Sequence, residues 1–82
     1  MRPVVTVYLR DGCHLCEVAL GVLASLGRSD FELVTVDIDN DDELLARYLE
    51  RIPVVCLDGE ELYDFGVDGR DLSRRLDAVA GR

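Results

Sequence analysis

Between Leu9 and Leu15 the hydrophobic period of the chain changes from that of a strand to that of a helix, which restricts the folds open to it. Val4-Val5-Thr6-Val7-Tyr8-Leu9 is β-branched and aromatic, ends at Arg10-Asp11-Gly12, and reads as a buried strand. From Cys13 onward Leu15, Val18, Ala19, Val22, Leu23 and Leu26 recur at helical spacing, with Glu17 and Ser25 off that face. Gly27 suits a helix stop. Phe31 to Ile38 reads as a second strand, alternating at its end through Val34, Val36 and Ile38. A strand–helix–strand order implies a right-handed crossover and two parallel strands.

The rest of the chain extends this pattern. Asp39-Asn40-Asp41-Asp42-Glu43 supplies cap residues and negative charge for a helix start, followed by Leu44, Leu45, Tyr48 and Leu49. Ile52-Pro53 breaks that helix. Val54 to Leu57 is a third strand, Asp58-Gly59 a hairpin turn, and Glu60 to Tyr63 a short fourth strand. Phe65 to Gly69 reads as a loop. Leu72, Leu76 and Val79 mark a last helix, with Arg70, Arg74, Arg75 and Asp77 on its outer side. The predicted fold is α/β, βαβαββα, with a four-stranded mixed sheet, first and third strands central, and helices on both faces. At 82 residues the expectation is a single domain over 1–82, burying only about 60–65% of its unfolded surface.

Cys13-His14-Leu15-Cys16 falls where the first strand meets the first helix. At a helix start, backbone N–H groups lack partners and the dipole end is positive. Both effects stabilise a thiolate at Cys13. Cys16 lies nearly one turn further, close enough to resolve a mixed disulfide formed at Cys13. His14, if protonated, would favour that thiolate; otherwise it is a solvated residue at a helix start. The same spacing is also half of a zinc site, but zinc needs four ligands. His14 is too close in the chain to coordinate comfortably beside both cysteines, and Cys56 reads as a small buried hydrophobe. The acidic run 39–43 reads as a surface helix start, so no metal site is expected.

The net charge of −8 and pI near 4.4 argue against nucleic acid and against an anionic membrane surface. All nine basic residues are arginine. No stretch approaches the ~18–20 apolar residues of a membrane span. No leader segment is visible, and three cysteines do not suggest a secreted disulfide framework, so a cytoplasmic location is expected.

Tyr8-x-Arg10-x-x-Cys13-x-x-Cys16, then Arg51-Ile52-Pro53-Val54, then Gly66-x-Asp68 resembles the glutaredoxin-like branch of the thioredoxin superfamily over nearly the whole chain. The Cys-His-Leu-Cys version, with Val36-Asp37-Ile38-Asp39 and with Arg47-Tyr48 ahead of Ile52-Pro53, is similar to a small bacterial group of such proteins. The resemblance implies that Cys13 is the nucleophile, Cys16 the resolving thiol, and Pro53 a cis-proline beside them. It implies that the backbone of Ile52 pairs with an extended thiol substrate. Arg10 matches a basic position that contacts a glutathione carboxylate, Asp68 falls near the glutathione amino-group contact, and Gly66 ahead of it belongs to the same substrate-binding motif. His14-Leu15 stands where these proteins usually carry Pro and an aromatic residue, and Val67 follows Gly66 where a second Gly is usual. The strong negative charge does not favour an anionic tripeptide.

The leading expectation is a monomeric thiol–disulfide oxidoreductase acting on protein or glutathione mixed disulfides. It would hold no bound cofactor, with glutathione a candidate cosubstrate. The alternatives are a cluster or metal carrier using Cys13 with ligands from glutathione or a second subunit, and a redox-inactive interaction domain of the same fold.

Overall fold

The run Val4–Leu9 is strand β1, and its two buried residues, Val5 and Val7, point to one face of a sheet that forms around it. The computed structural model describes residues 2–80; Met1, Gly81 and Arg82, the ends of the predicted domain, lie outside the described residues. After β1 come α1 (His14–Ser25), β2 (Glu32–Asp37), a 3-10 turn (Ile38–Asn40), α2 (Asp42–Tyr48), β3 (Val54–Leu57), β4 (Glu60–Asp64) and α3 (Gly69–Ala80). The four strands lie in the order β2-β1-β3-β4, so β1 and β3 are central, as the continuous apolar runs predicted. β1 pairs parallel with β2, Tyr8 opposite Val36, and antiparallel with β3, Tyr8 opposite Val54. β3 pairs antiparallel with β4, Val54 opposite Asp64.

Each face of the sheet has its own core. Val5, Val7, Val55 and Leu57 pack with Leu23 of α1 and with Leu72 and Leu76 of α3. On the opposite face Val54 and Cys56 pack with Ile38 and with Tyr48 of α2. The Asp58-Gly59 turn takes φ of 49° and 86°, the left-handed pair that a tight hairpin needs. The Asp58 carboxylate accepts from the Val4 amide at 2.8 Å, tying the hairpin to the start of β1. No helix among the described residues is long and apolar enough to cross a membrane.

Four local expectations shift. The buried stripe of α1 is Cys16, Ala19 and Leu23, whereas Leu15 and Val18 are each 48% exposed. Apolar residues nearly encircle this helix, so periodicity alone does not choose the inward face. The second strand ends at Asp37, not Ile38, because the Asp37 carboxylate accepts from the Asp39 amide at 2.9 Å and starts the 3-10 turn. The acidic run therefore makes two caps: Asp41 then accepts from the Glu43 amide at 2.8 Å and the Leu44 amide at 3.2 Å and opens α2. α2 stops at Tyr48, ahead of the predicted break, as the Arg51 amide turns back to the Tyr48 carbonyl at 2.8 Å.

The register places one set of loops together. The C-terminal ends of β1, β2 and β4 and the N-terminal end of β3 share one end of the sheet. Segments 10–13, 38–41, 51–53 and 65–68 are thus the loops of that end.

Candidate active site

Gly12 at φ +77° makes the turn from β1 into α1, a backbone conformation that suits glycine. It delivers Cys13 in extended conformation as the N-cap of α1. The Cys13 sulfur accepts from the Cys16 amide at 3.1 Å, the bond a capping side chain makes to an otherwise orphaned N–H. Cys13 and Cys16 are joined as a disulfide, their Cα atoms 5.2 Å apart. Their surroundings differ: Cys13 is half-buried, while Cys16 is 3% exposed and belongs to the inward stripe of α1. A negative sulfur at Cys13 would therefore have an aimed amide donor and the positive helix end, and it is the sulfur a partner can reach.

A hollow of about 150 Å³ opens against the pair, walled by Leu9, Arg10, Asp11, Glu17 and Leu20. Arg10 is turned to Asp39, with Nε to Oδ2 at 3.3 Å and a second nitrogen to Oδ1 at 3.2 Å. His14 is exposed and does not line the hollow.

The Ile52-Pro53 bond is cis, and Pro53 is fully buried. Since Tyr8 lies opposite Val54, β1 runs antiparallel past this turn just before it reaches Cys13. Arg51 anchors the turn from both sides. Its guanidinium forks onto Asp64 at 3.1 and 2.9 Å and also binds Glu61, while its carbonyl accepts from the Phe65 amide at 3.0 Å. Arg51 also lies 5.4 Å over the Tyr48 ring, which stacks on Tyr8 at 4.5 Å. The Arg51 guanidinium holds the Glu61 carboxyl below the usual carboxylate range. Burial pushes the Tyr48 hydroxyl and the Cys56 thiol up. Cys56 is a core residue beneath α2.

Asp68 caps α3: its carboxylate accepts from the Asp71 amide at 3.0 Å and its carbonyl from the Leu72 amide at 2.9 Å. Gly66 and Ile52 are half-buried on the neighbouring loops. The structure thus brings Arg10, Cys13 and Cys16 around one hollow, with Ile52, Pro53, Gly66 and Asp68 on adjacent loops of the same sheet end. Among the described residues, no group of three or more His, Cys, Asp or Glu is arranged to hold a metal ion. Sequence reasoning read Asp39 as a cap residue and did not foresee its contact with Arg10, which crosses from one loop to another. It also passed over Phe65, a 57% exposed aromatic held at φ 65° beside the proline turn. The Phe65-Gly66 step ahead of the last helix was the signal available for the latter.

Comparison with known proteins agrees with this geometry. Residues 4–77 match the family model described as glutaredoxin-like domain (DUF836). An uncharacterized protein of Mycobacterium tuberculosis is 36% identical over 73 residues, covering 82% of this chain and 75% of that protein. A Nitrosomonas europaea protein solved by NMR superposes with a TM-score of 0.78 at 32% identity, covering 92% of each chain. An X-ray structure of a protein from X. campestris gives 0.73 at 39% identity, covering 90% of this chain and 96% of that one. A mutant thioredoxin from Halobacterium salinarum gives 0.65 at 23% identity, covering 93% of this chain and 73% of that one, and shares the fold. The fold is therefore thioredoxin-like, and a bonded Cys-x-x-Cys pair at its first helix start supports a redox-type function.

Proposed function

The chain belongs to the glutaredoxin-like domain (DUF836) family, and on that footing we propose that it is a thiol–disulfide oxidoreductase working through Cys13 and Cys16. The observation that supports this reading best is the asymmetry of the pair. Cys13 is reachable and capped by an amide donor, whereas Cys16 is buried against the core. In the reduced protein the Cys13 thiolate attacks one sulfur of a partner disulfide. A new S–S bond forms, and the partner's other sulfur leaves as a thiolate and takes up a proton. Cys16 then loses its proton and attacks Cys13, closing the intramolecular disulfide and releasing the second partner sulfur. Two electrons pass to the partner. Ile52, ahead of the cis-proline, is the position at which an extended substrate would lay its backbone. The substrate class is a protein or glutathione mixed disulfide.

Exchange through separate serine variants tests the assignment. Cys13→Ser is expected to abolish disulfide reduction, and Cys16→Ser to trap a mixed disulfide visible by mass spectrometry of the intact protein. An adduct on Cys13→Ser and none on Cys16→Ser would reverse the roles. No adduct on either, with no turnover by the unaltered chain, would remove the oxidoreductase reading.

A further inference from the structure

The hollow beside Cys13 and Cys16 has an unbalanced wall. Its one cation, Arg10, is answered from within the chain by Asp39. Its two carboxylates, Asp11 and Glu17, are exposed and have no ion-pair partner among the described residues. Through Leu20 the hollow adjoins a second one of about 240 Å³, floored by Leu23, Phe31 and Leu33. Leu33 is 45% exposed on the β2 edge. The cation at that far end, Arg28, is also held from within, by Asp30 at 2.6 Å and Asp77 at 2.8 Å. Both arginines thus already have carboxylate partners within the chain. What remains is an apolar floor leading away from the disulfide and a net negative wall at the disulfide itself.

We propose that the disulfide this chain acts on belongs to a polypeptide with Lys or Arg beside its cysteine and an apolar residue further along, and that glutathione disulfide is selected against. The inference rests on the exchange reading above and narrows its substrate. An ammonium beside the partner's cysteine is drawn to Asp11 and Glu17. The same ammonium stabilises the partner's departing thiolate, which speeds exchange. Glutathione disulfide carries more carboxylates than ammonium groups, so this wall repels it. It also has no apolar side chain to lay on the floor from Leu20 to Leu33. The exchange is the one already described: the partner disulfide gains two electrons, the Cys13–Cys16 dithiol is oxidised, and a small dithiol such as dithiothreitol restores it.

The test mixes the reduced full chain with four disulfides. Two are peptides of equal length bearing one leucine, with either Lys or Glu beside the cysteine; the others are cystamine and glutathione disulfide. At ~20 mM salt the Lys peptide should react about tenfold faster than the Glu peptide, and at ~0.5 M salt the ratio should fall below about two. Cystamine should outrun glutathione disulfide by a smaller margin. Asp39→Asn, which releases Arg10, should raise the glutathione disulfide rate a few-fold, and Glu17→Gln should narrow the gap between the peptides. Leu33→Ser should slow the Lys peptide several-fold more than it slows cystamine; an equal effect on both removes the apolar floor from the proposal. Reaction with all four at similar rates, or a preference indifferent to salt, overturns the charge selectivity alone. Reaction with none overturns the exchange reading and the selectivity with it.

Discussion

The two faces of the sheet are built on different principles. The face under α1 and α3 is apolar throughout, with Val5, Val7, Val55, Leu72 and Leu76 all at 0% exposure. The face under α2 is smaller, and its helix has only seven residues. Beside its apolar core of Ile38, Val54 and Cys56 it carries an aromatic and ionic network: Tyr8 stacks on Tyr48, Arg51 lies over Tyr48, and Glu61 and Asp64 receive Arg51. Burial of aliphatic surface is non-directional, so the first face supplies stability without fixing any loop closely. Hydrogen-bonded forks are directional, so the second face fixes where the 51–53 turn sits. The cysteine pair draws on both, because Cys16 belongs to the inward stripe of α1 while the proline turn is held from β4.

The largest expected effect tests the apolar face. Leu72→Ala removes a fully buried side chain and should cost roughly 2–5 kcal/mol, with the urea midpoint lowered and the slope unchanged. Leu49→Ala, on the exposed end of α2, should stay within about 0.5 kcal/mol. A cost for Leu72→Ala no greater than that of Leu49→Ala would erase the distinction between the faces.

A smaller effect sharpens the ionic side. The Tyr48 hydroxyl donates to Glu61 at 3.1 Å, so Tyr48→Phe should cost about 1 kcal/mol. Because Arg51 shares Glu61 and stacks on the same ring, the loss should be less in an Arg51→Ala background. A double-mutant cycle in urea reads that coupling. Strict additivity would mean that these residues act separately and that the network does not hold the turn as a unit.

The smallest effect lies at the rim of the apolar face, where Asp71 accepts from the Tyr63 hydroxyl and pairs with Arg75. The Tyr63 hydroxyl first, and Arg75 second, lower the Asp71 carboxyl to about 2. A carboxyl depressed in the folded state contributes stability above its unfolded value, near ~3.9, and loses that contribution as pH falls through the folded value. The melting temperatures of the unaltered chain and Asp71→Asn should therefore differ at neutral pH and converge as pH falls from ~4 towards ~2. A difference that persists at the acid end would assign the effect to hydrogen-bond geometry and not to charge.

The βαβαββα order, the central strands, the hairpin at Asp58-Gly59 and the cysteine pair at a helix start were all legible in the sequence. Each depends on interactions between near neighbours in the chain: a period of two or 3.6, a turn dipeptide, a cap. The inward face of α1 was not, because its apolar residues nearly encircle it and only the sheet beneath selects Cys16, Ala19 and Leu23. Nor was the division of the acidic run into two caps, which depends on where β2 stops pairing with β1. Arg28 with Asp30 and Arg75 with Asp71 are local pairs, but the longer-range arginine contacts were decided by tertiary structure. Arg10 meets Asp39, Arg28 meets Asp77, and Arg51 meets Glu61 and Asp64 across separations of 10 to 49 residues. Composition determined that the chain is acidic; only the folded chain decides which charges are cancelled and which are left facing the disulfide, because charge pairing follows distance in space and not order along the chain.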